Sequence, residues 1–348
     1  DWQAAEALWR ELRLAYQTEP VLSARDLFAI ASATRQLGRS DPQLFKEAVR
    51  LFDQASRKDP SYLDPGIALG ELLLEKYNNE EASALFREIL AIDDRHPRAL
   101  LGLARSQHFD YSSQAVTTAL QALSINPNLV PTRVFMARLF IELEQYDDAR
   151  REAQLALDIN PVSLEALTLV GVIEHLERNP AQFAAIEQRL LQLNPRYADF
   201  YTTLADLSAQ NRLYRDAAGF AERAIQLDPQ DFKAHLGLAE QLLRVADFRG
   251  AAEQYGWCVK IDPRHSGARL AAAVSLAKAG DYAAARKQLA TGRQVLPQSL
   301  ILAHGMARLL AAAPDDEVRD GPRAVSLSLA AFEAGQTAEH AATVAMAY

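Results

Sequence analysis

The chain has 348 residues, 49% of them hydrophobic and 24% charged, with a net charge of -8. That balance excludes wholesale disorder, and the acidic excess argues against a nucleic-acid backbone as the main partner. A single cysteine, Cys258, excludes an intrachain disulfide and a thiolate-rich metal site, and no apolar run approaches the length of a membrane span.

Ala, Leu, Glu, Gln and Arg are abundant, while clusters of Val, Ile and Thr are scarce, which favours helix over strand. The opening residues Asp1 to Glu6 do not form a signal peptide. Trp2, Ala5, Trp9 and Leu12 read as the second helix of a helix pair whose first helix is missing, as in a fragment of a longer protein. The alternative is a cap in which Trp2 and Trp9 pack on the first full pair. From Ala31 to Ala48 the small residues stand 17 apart, against 12 in the regular units that follow. The excess, around Gly38 to Gln43, lengthens a loop between paired helices, either for binding or as harmless variation.

A proline then closes successive helical segments at Pro60, Pro97, Pro127, Pro161, Pro195, Pro229, Pro263 and Pro297, and the last five intervals are each 34 residues. The local phrase repeats as Ile125-Asn126-Pro127, Ile159-Asn160-Pro161, Leu193-Asn194-Pro195, Leu227-Asp228-Pro229 and Ile261-Asp262-Pro263. An apolar residue ends the helix, Asn or Asp bonds the local backbone, and Pro stops the pattern. Inside each period small residues recur in phase. Ala149, Ala217, Ala251 and Ala285 form one series, Ala156, Ala224 and Cys258 a second, and Ala137, Ala205, Ala239 and Ala273 a third. Paired helices approach closely where one presents a small side chain. An aromatic precedes each member of the first series by three residues, at Tyr146, Tyr214, Phe248 and Tyr282.

Near the end, Ala307 and Ala324 are again 17 apart, with the excess between Ala313 and Gly321. Glu339 to Tyr348 reads as a first helix without its partner.

These small positions, the aromatic and the closing proline resemble the tetratricopeptide repeat family. The resemblance implies an all-α fold, a right-handed superhelical solenoid of antiparallel helix pairs. It covers 1–348 as one continuous array: a partial repeat over 1–20, about nine repeats over 21–335, and a partial repeat over 336–348. Leu164 to Pro195 departs most, with Phe183 and Leu190 at small positions, and a splayed or distorted unit is expected there. From Pro60 to Pro229 the chain is also similar to the repeat arms of bacterial gluzincin-like metallopeptidase proteins. Leu63-Asp64-Pro65, His96 to Ala104 and Asn194 to Ala198 carry that likeness. It implies a catalytic module outside this chain.

No catalytic constellation stands in the chain itself. The seven histidines, His96, His108, His175, His235, His265, His304 and His340, include no His-Glu-x-x-His and lie one or two repeats apart. There is no phosphate loop and no Gly-x-Ser-x-Gly elbow. Cys258 sits at a small packing position, as a buried thiol would. No enzyme activity, metal or cofactor is expected within these residues.

Family resemblance implies that first helices line a concave groove for a peptide or partner subunit, with the ninth repeat position pointing into it. Those positions are Glu71, Arg105, Arg138, Val172, Asp206, Glu240, Val274 and Arg308, with Asp64, Arg98, His108, Asp199, Thr202, Lys233, His304 and Ala311 nearby. The candidate partner-binding residues are Glu71, Arg98, Arg105, Arg138, Asp206, Lys233, Glu240 and Arg308. The ninth position is never Asn, so the lysine-and-asparagine clamp of some family members is poorly matched. Arg98, Arg105 and Arg138 could instead grip an acidic segment through bidentate pairs, or simply compensate Glu71 and Glu142. The expected function is a non-catalytic protein–protein interaction scaffold or adaptor. The alternatives are a recruiting or regulatory arm of a larger enzyme, and a structural spacer.

Overall fold

The computed structural model describes residues 2–18, 21–38, 42–75, 78–335 and 337–348, and the side chains of these except at 2–4, 15–18, 42, 334–335 and 338–340. The side chains of Trp2 and His340 and most of the first loop insertion therefore lie outside the described residues. Among the described residues there are twenty α-helices and no β-strand. They gather into two compact units, 1–173 and 174–348.

In the first unit α1 (Trp2–Thr18) packs on α2 (Ala24–Leu37), which pairs with α3 (Pro42–Lys58). The pairs α4 (Asp64–Glu75) with α5 (Asn79–Ile92), α6 (Pro97–Phe109) with α7 (Gln114–Ile125), and α8 (Val130–Glu142) with α9 (Tyr146–Ile159) follow. Helix α10 (Leu164–Leu176) runs through the boundary between the units.

The second unit continues with α11 (Pro180–Leu193) and the pair α12 (Ala198–Gln210) with α13 (Tyr214–Leu227). Then come α14 (Phe232–Arg244) with α15 (Phe248–Ile261), α16 (Ser266–Lys278) with α17 (Tyr282–Val295), and α18 (Leu300–Ala312) with α19 (Gly321–Gly335). The last helix, α20 (Ala338–Ala347), packs on α18 and α19. Short connections make paired helices antiparallel neighbours.

The Asn/Asp-Pro phrase works as its chemistry requires. Asn126, Asn160, Asn194, Asp228 and Asp262 each leave the helix in extended geometry. Each side-chain oxygen then accepts the backbone N–H two residues on, at 2.9–3.2 Å. The intervening proline has no N–H to satisfy, so the turn closes without an orphaned donor.

A second punctuation mark lies in six successive turns, from α6/α7 to α16/α17. The turn between the two helices holds one residue at positive φ: Tyr111, Glu144, Arg178, Arg212, Ala246 and Gly280. Five of the six are not glycine, so the turn is held against a steric preference of roughly 1–2 kcal/mol by the packing of the helices it joins.

The phased small residues are the contact surface. Ala137, Ala149, Ala156, Ala224, Ala239, Ala251, Cys258 and Ala285 are wholly buried. Where the first helices carry glycine instead, a large side chain fills the gap. Phe86 on α5 is wholly buried against Gly70 of α4 and Gly102 of α6, where an added Cβ would stand 2.6 and 2.3 Å from its ring.

The unit at Leu164 to Pro195, expected to be splayed or distorted, is made of two continuous helices, α10 and α11. Helix α11 is regular but fully buries a single side chain, Leu190. The bulk of Phe183 is absorbed by an aromatic cluster in which it meets His175, Phe200 and Phe220 at centroid distances of 5.8, 6.0 and 6.1 Å. The second loop insertion joins α18 to α19 and is packed: Ala313 and Val318 are buried, and Arg286 of α17 donates to the Glu317 carbonyl at 2.9 Å.

Candidate functional site

The first helices of the first unit carry Glu71, Arg98, Arg105 and Arg138 on one connected face. Helices α4 and α6 touch directly, without an intervening second helix. Arg35 of α2 reaches Glu71 at 3.7 Å and also pairs with Glu75, both on α4. Arg98 of α6 returns to α4, binding Asp64 through Nη1 and Glu71 through Nη2, each at 3.1 Å. Further along, His108 of α6 and Arg138 of α8 bind the two oxygens of Glu142, at 3.0 and 3.2 Å. Burial alone would raise the Glu142 carboxyl; the His108 hydrogen bond and the Arg138 charge outweigh it and hold the group below its ordinary range.

Arg105 stands apart in this ladder. Its surface exposure is intermediate, and burial pushes its guanidinium below the usual arginine value, opposed by the charges of Glu71, Glu165 and Glu75. Glu71 and Glu75 lie on α4, which touches α6, and Glu165 lies on α10. Among the described residues Arg105 has no hydrogen bond and no carboxylate within ion-pair distance. The three arginines are therefore not equivalent. Arg98 and Arg138 hold acidic neighbours, while Arg105 has no hydrogen bond or ion pair among the described residues.

In the second unit, Asp206 of α12 and Glu240 of α14 are exposed on neighbouring first helices, which touch each other. Partial desolvation raises the Glu240 carboxyl, Arg244 offsets some of that, and Asp206 adds to it by like-charge repulsion. Asp206 accepts a hydrogen bond from Gln210 at 3.3 Å. Lys233 and Arg308 are exposed on α14 and α18.

Two groove positions expected from the period are not surface positions. Val172 is 1% exposed, in the packed interior of α10. His304 is buried, and its Nε2 meets Thr343 Oγ1 of α20 at 2.6 Å, because the last helix lies over that face.

The remaining described histidines and the cysteine have structural surroundings. His96 and His265 cap α6 and α16, their Nδ1 atoms accepting the N–H of Ala99 at 3.4 Å and of Ala268 at 3.0 Å. His235 stacks on Trp257 at 5.6 Å between Gln254 and the Pro229 carbonyl. Burial pushes the Cys258 thiol up to about 12, with Sγ directed at the Phe232 carbonyl, so it is no nucleophile near neutral pH. Among the described residues no three His, Cys, Asp or Glu side chains are grouped to hold a metal, and no helix is long and apolar enough to cross a membrane.

What the period missed is the aromatic cluster of His175, Phe183, Phe200, Tyr201 and Phe220. Tyr201 donates to Glu187 at 2.7 Å beneath the Arg223 guanidinium, 4.5 Å from the ring centroid. The signal was present in the large residue at a small position, Phe183.

Residues 43–106 match a family model described as tetratricopeptide repeat, and residues 136–199 and 236–292 match a second model of the same description. Among curated proteins, Protein CTR9 homolog of Arabidopsis thaliana is 27% identical over 164 residues, 46% of this chain and 15% of that protein. The match thus spans a small part of that relative's length. Among solved structures, a tetratricopeptide repeat protein from Parabacteroides merdae is similar at 17% identity and a TM-score of 0.49, covering 73% of this chain and 98% of that one. Yeast Tom70 is similar at 16% identity and a TM-score of 0.46, covering 99% and 85%. Pseudomonas aeruginosa pilF gives 18% identity and 0.40, covering 62% and 96%.

Proposed function

The chain belongs to the tetratricopeptide repeat family, and from that premise we propose that it is a non-catalytic scaffold whose first-helix face in residues 1–173 holds a polypeptide partner. The observation that carries this reading is Arg105. Its guanidinium is partly exposed on the first-helix face and has neither a hydrogen bond nor an ion pair among the described residues, so its donors are open to a partner's carboxylate. The neighbouring arginines supply the contrast, since each already has its carboxylate on the same face. They fix the shape of the surface and leave one open point of attachment.

Affinity capture with the purified chain, read by mass spectrometry, tests the proposal. A polypeptide retained by the wild-type chain is expected to be lost from Arg105→Glu and kept by Arg308→Glu, a change on the second unit. Equal retention by all three proteins would remove the first-unit face from the proposal. A structural spacer predicts no retained partner at all. An arm of a larger enzyme would retain its partner in the same way and differ only in what lies elsewhere in the full protein. None of the relatives reported above is a metallopeptidase by name.

A further inference from the structure

In three helix pairs a side chain of the first helix ties the preceding proline turn to the second helix, and in the last of the three the tie is half made. In the pair α8 and α9, Arg133 donates from Nε to the Pro127 carbonyl at 3.0 Å and from Nη1 to Glu152 of α9 at 2.7 Å. At 34-residue multiples the same two positions hold His235 and Gln254, then Arg269 and Gln288. His235 repeats the arrangement, with Nε2 at 3.1 Å from the Pro229 carbonyl and Nδ1 at 2.8 Å from Gln254. Arg269 makes only the first contact, donating from Nε to the Pro263 carbonyl at 2.8 Å. Its two terminal nitrogens meet no acceptor and no carboxylate among the described residues, and the Gln288 amide has no partner there either.

Arg269 is 4% exposed, yet its terminal nitrogens are not sealed from solvent. Side chains on a helix lean toward its N-terminus, and the bond to Pro263 shows Arg269 doing so. Its stem crosses Gly292 of α17, where an added Cβ would stand 3.2 Å from the arginine Cδ. One turn along the same two helix faces stand Ser266 and Val295, which with Arg264, Leu296 and Ser299 line a cavity of about 380 Å³. No carboxylate lines that cavity, and Asp262, the acid of the turn, accepts the Arg264 N–H at 2.9 Å. The Arg264 side chain and the Ser266 and Ser299 hydroxyls have no partner among the described residues.

We propose that Arg269 and this cavity form a carboxylate site in the second unit. An Asp or Glu side chain of a bound polypeptide takes the two terminal nitrogens, and its apolar neighbours rest on Val295 and Leu296. The external acid completes from outside the tie that Glu152 and Gln254 complete from within the chain. This site does not depend on the first-unit face.

The test uses the full chain and two fluorescein-labelled heptapeptides that differ only in a central Glu or Gln flanked by leucines. Binding is followed by fluorescence anisotropy at one fixed ionic strength, and circular dichroism checks that each variant is folded. The Glu peptide is expected to bind about tenfold tighter than the Gln peptide, and Arg269→Met should erase that preference. That variant also loses the Pro263 bond, so Gln288→Glu is the sharper one. It leaves Arg269 in place, supplies an acid where Glu152 stands in its own pair, and should erase the preference by filling the site internally. Lys287→Glu adds an acid one residue away at an exposed position and should keep the preference. Equal affinity of the wild-type chain for both peptides, a preference that survives Gln288→Glu, or one erased equally by Lys287→Glu overturns the site. None of these results touches the first-unit reading.

Discussion

At the scale of single residues, the backbone conformation of the intra-pair turns and the protonation of one histidine make direct predictions. Gly280 has φ +83°, and a Cβ there would meet nothing within 4 Å. The cost of Gly280→Ala is therefore a pure backbone cost, and chemical denaturation should show about 1 kcal/mol of lost stability. Ala246 occupies the equivalent turn at φ 60°, so Ala246→Gly should be neutral or stabilising by a few tenths to ~1 kcal/mol. Equal losses from both changes would mean the sign of φ is not what governs these turns.

His175 sits edge-on to Phe220 at 4.9 Å, with Asp216 at 3.4 Å. Burial lowers its pKa below 6.5; Asp216 opposes and Arg178 adds to the effect. With the folded value below the unfolded one, the stability linked to this group is fully present above about pH 6.5 and is lost as pH falls through the folded pKa. The melting temperature should thus drop between about pH 7.5 and about pH 5.5, and His175→Phe should shrink that drop. An unchanged pH difference in the variant would assign the sensitivity to another group.

At the scale of elements, the phased small residues set how closely helices approach. Phe86 occupies space that exists because Gly70 and Gly102 lack side chains on two successive first helices. Gly102→Ala would place a methyl 2.3 Å from the ring, and neither the helix backbone nor a wholly buried phenylalanine can retreat far. A loss of ~1–3 kcal/mol is expected in denaturant titration. Gly256 of α15 offers the control, because a Cβ there meets nothing within 4 Å, and Gly256→Ala should stabilise by up to about 1 kcal/mol through helix propensity. The charge ladder is the other element-scale feature. Arg98 ties α6 to α4, and Glu142 ties α8 to α6 through His108. These half-exposed pairs contribute little stability each, but they fix which cation on the face is left over.

At the scale of the whole molecule, most contacts join helices that are neighbours in the chain. Repeat stacks of this kind can unfold in part, because no long-range contact couples every pair to every other. Cys258 is a built-in reporter of one pair, being wholly buried in α15 with its thiol pushed up to about 12. It should be inert to a thiol reagent in the native chain and react in guanidinium at a midpoint different from that of the far-ultraviolet circular dichroism. Coincident midpoints would show one cooperative transition instead.

Read alone, the sequence determined the helix pair and its punctuation. A 34-residue spacing of Asn/Asp-Pro turns and in-phase alanines is a local pattern, and local patterns act through backbone bonds and side-chain size. It also placed Arg105 on the face where a partner is proposed. Only the tertiary structure decided which of the charges on that face are already taken. Arg98 finds Asp64 and Glu71 more than twenty residues away, and His304 is covered by a helix that begins at Ala338. The turns show the same division: glycine announced the positive φ at Gly280, while Glu144, Arg178, Arg212 and Ala246 adopt it only because the helices on either side are packed. Pairing and burial depend on what another element brings into reach, and a single strand of sequence does not carry that distance. The 34-residue period thus marks where the charged face lies, and the packed helices decide which of its charges are already paired.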